Sequence, residues 1–478
     1  MRPWALSAPI VVLMICLPLL RPLRHPNPAL VSDDEQARLA TIQALVEQHT
    51  LQIQGTTFFA TQIAFPHPRP GRQDDAIQDV ISVHRPDGQL HVYSDQSPVM
   101  SILLSGPYWV MVRCGVTFEH NPILAEYLLT LFGVTLPIAF AAGLMYRMGR
   151  IFELKRPARA GLALAVVIGS GWISYATVLS AGAAAAALVV MSAASLVQAT
   201  LTRSRVAGLA WVLVGGFTAA LAATYDLSGL AFLVFLLLVV SALRWPITWK
   251  AGGIALYLAG ALLPLLLYAE VNRSITGDLR PGFLHHELSP EMADLPEGTR
   301  PEADPHWVDE DDGSPAILGT PLHNAERFLT AFFGGHGLLT HFPVLILGIA
   351  GVTMVMHRHW PSTTKLLAGA TVLAGLGIIV GFILQPGDWT DAMFANRWFL
   401  VFLPLTLFWA GAWLRRSHHP ATWAAACALW VFSAVIALIG ATDPEPRQGY
   451  DRYTAAAAFM HLVQPAHSPS QREMIAER

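Results

Sequence analysis

Long apolar runs, separated by short basic clusters or by proline and glycine, recur along most of the chain. Crossing the hydrocarbon core of a bilayer takes about 20 residues of helix at a rise of about 1.5 Å each. About eleven runs meet that length, near residues 4–20, 122–146, 160–179, 181–200, 206–224, 228–243, 251–269, 338–356, 366–384, 398–414 and 422–440. The first follows Arg2 and resembles the core of a signal peptide, but Arg21, Pro22 and Arg24 come next and no small-residue cleavage site follows, so it is read as an uncleaved helix. Residues 97–116 are nearly as apolar. Counting them as a span breaks the charge alternation downstream, so they are expected to lie as a helix on the outer interface, with Tyr108 and Trp109 at headgroup level.

Two long segments, 21–121 and 270–337, separate the runs. In the first, Leu39, Ile42, Leu45 and Val46 share one helical face, and Val80 to His84 and Leu90 to Tyr93, flanking Pro86-Asp87-Gly88, predict a β-hairpin. The second is acidic over 287–312 and interrupted by prolines, which predicts an irregular loop. The expected fold is therefore an all-α polytopic membrane protein of about eleven transmembrane helices. Its large first extracytoplasmic loop carries juxtamembrane helices and a small β-hairpin. Residues 1–440 form the transmembrane domain and 441–478 an outward tail. No internal repeat is evident.

Charge fixes the expected orientation. Arg147, Arg150, Lys155, Arg156 and Arg159, then Arg203 and Arg205, Arg244 and Lys250, Arg358 and Lys365, and Arg415 and Arg416 all fall on one side, which the positive-inside rule makes cytoplasmic. The N-terminus is then inside and the tail outside. Composition agrees: 54% of the 478 residues are hydrophobic and 13% charged, where a soluble domain has about 25% charged. A net charge of -3 offers no basic surface for nucleic acid. Cys16, Cys114 and Cys427 lack metal-ligand spacing and are expected to be small buried hydrophobes.

Candidate chemistry concentrates on the outer side. Ser32-Asp33-Asp34-Glu35 places carboxylates just beyond the first span, where one can take a proton from an acceptor hydroxyl; the same four residues also read as a capping box. Asp226, at the outer end of a span, and His336 in Gly334-Gly335-His336-Gly337, with His341 five residues on, are further candidates.

Asp34-Glu35 with Arg38-Leu39-Ala40, Tyr93-Ser94-Asp95-Gln96-Ser97-Pro98, Gly106-Pro107-Tyr108-Trp109, and Asn396-Arg397-Trp398-Phe399 running to Pro404 together resemble the GT-C superfamily of membrane glycosyltransferases. The resemblance is closest to the group containing protein mannosyltransferases and aminoarabinose transferases. It implies transfer of a sugar from a polyprenyl-phosphate-linked donor to an acceptor on the outer face of a membrane, the bacterial inner (plasma) membrane by analogy with the group. By position Asp34 is the implied catalytic base, with Asp33 the substitute if the register is one residue off. Arg397 is the implied phosphate ligand, and Asp95, His336 and Arg280 the accessory substrate-binding residues. The partners are the membrane lipid and the lipid-linked sugar. No metal set is read, although Asp388 and Asp391 lie near Arg397 in sequence. Gln96 stands where the family usually has lysine. That departure keeps open a catalytically inactive relative serving as a receptor or assembly factor. A transporter or lipid flippase is the third reading, though the spans hold few ionisable residues.

The orientation is testable by cysteine labelling. In a background without the native cysteines, an impermeant maleimide should label Ser289→Cys and Ser470→Cys in intact cells and leave Ser204→Cys unlabelled. The opposite pattern reverses the topology.

Overall fold

The computed structural model describes residues 3–24, 32–58, 80–84, 90–243, 245–282, 321–335, 337–384, 394–395, 397–416, 419–442 and 444. Among them, seven helices are long and apolar enough to cross a bilayer: Ser7–Arg24, Pro122–Phe152, Ala181–Leu201, Arg205–Tyr225, Ile247–Thr276, Ser362–Ile383 and Pro420–Gly440. An eighth span is formed if Asn324–His341 and Leu345–His357, which meet at 93°, are taken together. The protein is an integral, multi-pass membrane protein. Met14 and Leu263, exposed at 70% and 67%, show that spanning helices turn apolar side chains outward, as lipid-facing surfaces require.

The remaining expected runs, 160–179, 228–243 and 398–414, form the shorter helices Arg156–Gly169, Gly229–Ser241 and Leu403–Leu414. The first is cut by Gly171, whose φ of +73° a helix cannot continue and an L side chain rarely adopts. Beyond it the backbone turns through a short 3₁₀ segment, Ser174–Thr177, in which every side chain is buried. Irregular backbone at such depth is stable only when protein satisfies its polar groups. Here Thr135 donates to the Ala176 carbonyl at 2.8 Å, while Ser174 and Thr177 donate to the carbonyls of Ala437 and Ala441 at 2.7 and 3.0 Å.

The first span shows how sequence becomes packing. Ala8, Val12, Cys16 and Leu20, spaced by four, are all fully buried, while Ile10 and Met14 face outward. Farther along, Arg205–Tyr225 lies between Ala181–Leu201 and Ile247–Thr276. Its approach to the latter is so close that a Cβ on Gly216 would stand 2.0 Å from the Tyr257 carbonyl oxygen, and one on Gly260 2.3 Å from that of Leu213. Without a hydrophobic drive between helices in lipid, such small-residue contacts carry the association.

The segment between the first two spans contains the expected helix and hairpin strands. An α-helix, Asp33–Gln43, runs into a π-helical turn, Ala44–Gln48, and ends at His49 in the left-handed region. Leu39 and Ile42 are buried; the wider turn rotates Leu45 and Val46 into partial exposure. Strand β1 (Val80–His84) pairs antiparallel with β2 (Leu90–Ser94), with Val80 opposite Ser94; the intervening turn lies outside the described residues. The helix expected at the interface is formed by Pro98–Arg113, with Pro98 at its first turn.

Two expectations are corrected here. Trp109 is exposed, but Tyr108 is fully buried, because its hydroxyl is drawn inward to Glu47 and accepts from the Phe118 amide at 3.0 Å. Burial, reinforced by Glu47, pushes the Tyr108 hydroxyl well above its usual range, so it stays protonated. Of the cysteines only Cys16 is buried; Cys114, in the turn that ends helix Pro98–Arg113, and Cys427, on helix Pro420–Gly440, are exposed.

The helix contact at Gly216 yields a stability test. Gly216→Ala should destabilise the detergent-purified protein by about 1–3 kcal/mol through overpacking. Gly252→Ala is the matched control, because a Cβ at Gly252 meets nothing within 4 Å; it should leave the unfolding temperature unchanged or raise it.

Candidate active site

Three separate pieces of chain meet at the head of helix Asp33–Gln43. Asp34 stands in its first turn, Asp95 and Gln96 connect β2 to the interfacial helix, and Arg397 opens the 3₁₀ segment Arg397–Phe399. Arg397 Nη1 pairs with Asp34 Oδ2, across 363 residues of sequence. Both side chains are mostly covered, at 16% and 14% exposure, yet neither is sealed from solvent.

Gln96 organises the other half of the site. Its amide nitrogen donates to Asp34 Oδ1 and to Asp95 Oδ1, each at 3.1 Å, and its amide oxygen accepts from Arg38 Nη2 at 2.6 Å. The two Asp34 oxygens are thus held by different chemistries, one by a neutral amide and the other by a guanidinium. Arg38, one helical turn after Asp34, also donates to the Asp34 carbonyl at 3.4 Å, and its own carbonyl accepts from Ser101 at 3.3 Å. The next residue, Ser97, donates to the carbonyl of Thr224, so the end of a spanning helix fixes this corner.

Behind Asp34 lies a buried ion pair. Arg21 Nη1, at the end of the first span, stands 2.8 Å from Glu35 Oε2, and each side chain is only 3% exposed. Glu35 Oε1 accepts from the Leu179 amide at 3.0 Å. The capping-box expectation is therefore corrected: Ser32 makes no side-chain cap, and Glu35 turns to the guanidinium instead of the helix terminus. The buried Glu126 belongs to the same neighbourhood, influenced by Arg21 and Glu35.

Arg397 is positioned from below. Ala395 takes a φ of +53°, an uncommon value for alanine, and the neighbouring Phe394 carbonyl accepts from Tyr175 at 2.6 Å. Tyr175 belongs to the buried irregular segment, so that segment anchors the approach to the site. The Arg397 guanidinium carbon lies 4.7 Å from the Trp398 ring centre.

The other expected residues separate. Arg280 is exposed and pairs with Asp278 at 2.7 Å, although Gly282 two residues on packs against the Asp95 backbone. Its guanidinium is not brought to Asp34. His336, Asp388, Asp391 and the Asp33 side chain lie outside the described residues. His341 is buried, bonded through Nδ1 to the Gly337 carbonyl at 2.9 Å and edge-on to Phe394. Asp226 closes a local turn, accepting from the amide and hydroxyl of Ser228 at 2.9 and 2.6 Å. No group of three or more metal-ligating side chains occurs among the described residues. Sequence reasoning missed the hub role of Gln96; its signal was present, as the residue standing in place of lysine.

The sequence matches no protein-family model and no curated protein. In structure the chain is similar to ArnT from Cupriavidus metallidurans bound to undecaprenyl phosphate, with a TM-score of 0.52 and 14% identity, over 96% of this chain and 68% of that one. It is also similar to the apo oligosaccharyltransferase of Archaeoglobus fulgidus, with a TM-score of 0.48 and 13% identity, over 99% of this chain and 60% of that one. This chain thus spans less than two thirds of the archaeal protein. The likeness to ArnT is one of fold alone.

The buried pair generates a stability prediction. Removing one partner strands a charge away from water, so Arg21→Met should cost about 3–5 kcal/mol. Arg21→Met combined with Glu35→Gln, which keeps an acceptor for the Leu179 amide, should recover much of that loss. Thermal unfolding in detergent reads both; a double variant no more stable than Arg21→Met would show that the pair itself is not what holds the segment.

Proposed function

We propose that the chain is a glycosyltransferase that moves a sugar from a polyprenyl-phosphate carrier to an acceptor hydroxyl at the outer face of the membrane. The observation that supports this reading is the mostly covered Asp34–Arg397 ion pair, in which the proposed base and the proposed phosphate ligand stand side by side. A guanidinium suits phosphate through paired, charge-assisted hydrogen bonds. The fold-related ArnT binds undecaprenyl phosphate, a lipid of the class proposed for Arg397.

In the proposed reaction the donor phosphate takes Arg397 from Asp34 and leaves Oδ2 free, while Gln96 keeps Oδ1 in place. Asp34 then accepts the acceptor's hydroxyl proton as the hydroxyl oxygen attacks the anomeric carbon. The bond from that carbon to the phosphate oxygen breaks, with inversion, and the electron pair leaves on polyprenyl phosphate, whose charge Arg397 stabilises. Exchange of Arg397 between carboxylate and phosphate couples donor arrival to release of the base.

A second reading, an inactive relative, is favoured by Gln96: an amide engaged with two carboxylates and a guanidinium adds no positive charge for a phosphate. The same assay separates the two. With a polyprenyl-phosphate sugar as donor, Asp34→Asn should lower transfer by about 10²–10⁴-fold. Ser32→Ala should be close to wild type, since that hydroxyl makes no cap. Arg397→Gln should raise the KM for donor. Transfer present only in Gln96→Lys would establish the inactive relative, and unchanged transfer in Asp34→Asn would remove the proposed base.

A further inference from the structure

At the far end of the span Pro122–Phe152, roughly 45 Å of helix from the Asp34 side, lies a polar cleft that the proposed reaction does not use. Its volume is about 490 Å³, and Arg150, Glu153, Leu154 and Arg159 line it. Arg150 and Glu153 belong to the 3₁₀ turn closing that span and its cap, and Arg159 to the first turns of helix Arg156–Gly169.

Arg159 differs from the exposed Arg147, Arg150, Lys155 and Arg156 at this end of the span. It is 9% exposed, its Nε is buried without a hydrogen-bond partner, and its guanidinium carbon lies 4.8 Å from the Tyr146 ring centre. Gly149 admits its stem, since a Cβ there would meet Arg159 Cγ at 3.1 Å. Among the described residues, neither Arg150 nor Arg159 has an ion-pair partner. Glu153, the acid of the lining, is taken by Arg415, which in turn lies 5.1 Å from the Trp360 ring centre. Lys155 gives the adjacent helix no side-chain cap, so its first amides add positive potential.

The positive-inside rule accounts for exposed basic residues such as Arg147, Lys155 and Arg156. It does not account for two arginines without an ion-pair partner on one polar cleft, one of them nine-tenths buried and held against a ring, an arrangement that an anion in the cleft would compensate. We infer that this cleft binds a phosphate group, carried by the headgroup of an acidic membrane lipid or free in solution. Arg159 forms the fixed, ring-supported side of the site and Arg150 the solvent-facing side. A basic pocket between helix ends at the membrane surface is a suitable seat for such a headgroup, and the volume suits a small polar ligand.

The test uses the full chain purified in neutral detergent at fixed ionic strength, with phosphatidylglycerol, phosphatidylcholine or inorganic phosphate as the probe and the unfolding temperature as the readout. Phosphatidylglycerol should stabilise the wild type and phosphatidylcholine should not. Stabilisation by inorganic phosphate as well identifies a free anion as a ligand; its absence identifies the lipid. Arg159→Gln should weaken the apparent affinity by about tenfold or more, the loss of a charge-assisted hydrogen bond. If that variant does not fold, Arg150→Gln, at an exposed position, should show the same weakening, and Arg203→Gln in another basic loop should show none. Equal shifts in wild type and Arg150→Gln, or no shift with either anionic probe, overturns the site.

Discussion

The pairing of Arg21 with Glu35 in the apolar interior sets the half of the protein that carries Asp34. One contact joins the end of the first span, the start of helix Asp33–Gln43 and, through the Leu179 amide, the loop leading to Ala181–Leu201. Two charges so deeply covered tolerate little displacement, because moving either one leaves the other unsolvated and uncompensated. Asp34 precedes Glu35 in the helix, so its carboxylate inherits that rigidity while facing the other way, toward Arg397 and Gln96. A buried pair thus orients a half-covered one.

Much of the architecture was legible because membrane insertion leaves long apolar runs and a tight turn leaves Pro-Asp-Gly between two short strands. The apolar runs fall on helices, and the stretches flanking that turn match the strands to within one residue. The break inside the run at 160–179 was not read. Ser170, Gly171, Ser174 and Thr177 marked it in sequence, but the irregular path depends on hydroxyl bonds to Ala437 and Ala441 more than 260 residues away. Glu35 misled for a related reason: a capping box is local, whereas its real partner is a guanidinium that only tertiary packing brings near.

The site was legible in its ends and not in its middle. Asp34 and Arg397 were found through a family resemblance, and the structure brings them into contact. Gln96 was read as a missing charge, yet the geometry makes it the residue that holds two carboxylates together and keeps them from repelling one another into solvent. A lysine at that position would pair with the same acids but could not also accept from Arg38, because an ammonium has no acceptor. The neutral amide and Arg38 are therefore matched to each other.

The separation of 363 residues between Asp34 and Arg397 has a consequence for biogenesis. At roughly 5–20 residues per second, translation leaves the acidic head of helix Asp33–Gln43 without this cation for roughly 20–70 s. Gln96, which donates to the carboxylate, and Arg38, which holds both the Gln96 amide and the Asp34 carbonyl, are made early in that interval. The amide clasp is then an assembly intermediate's device as much as a feature of the finished protein, keeping the acid in register until Arg397 is made.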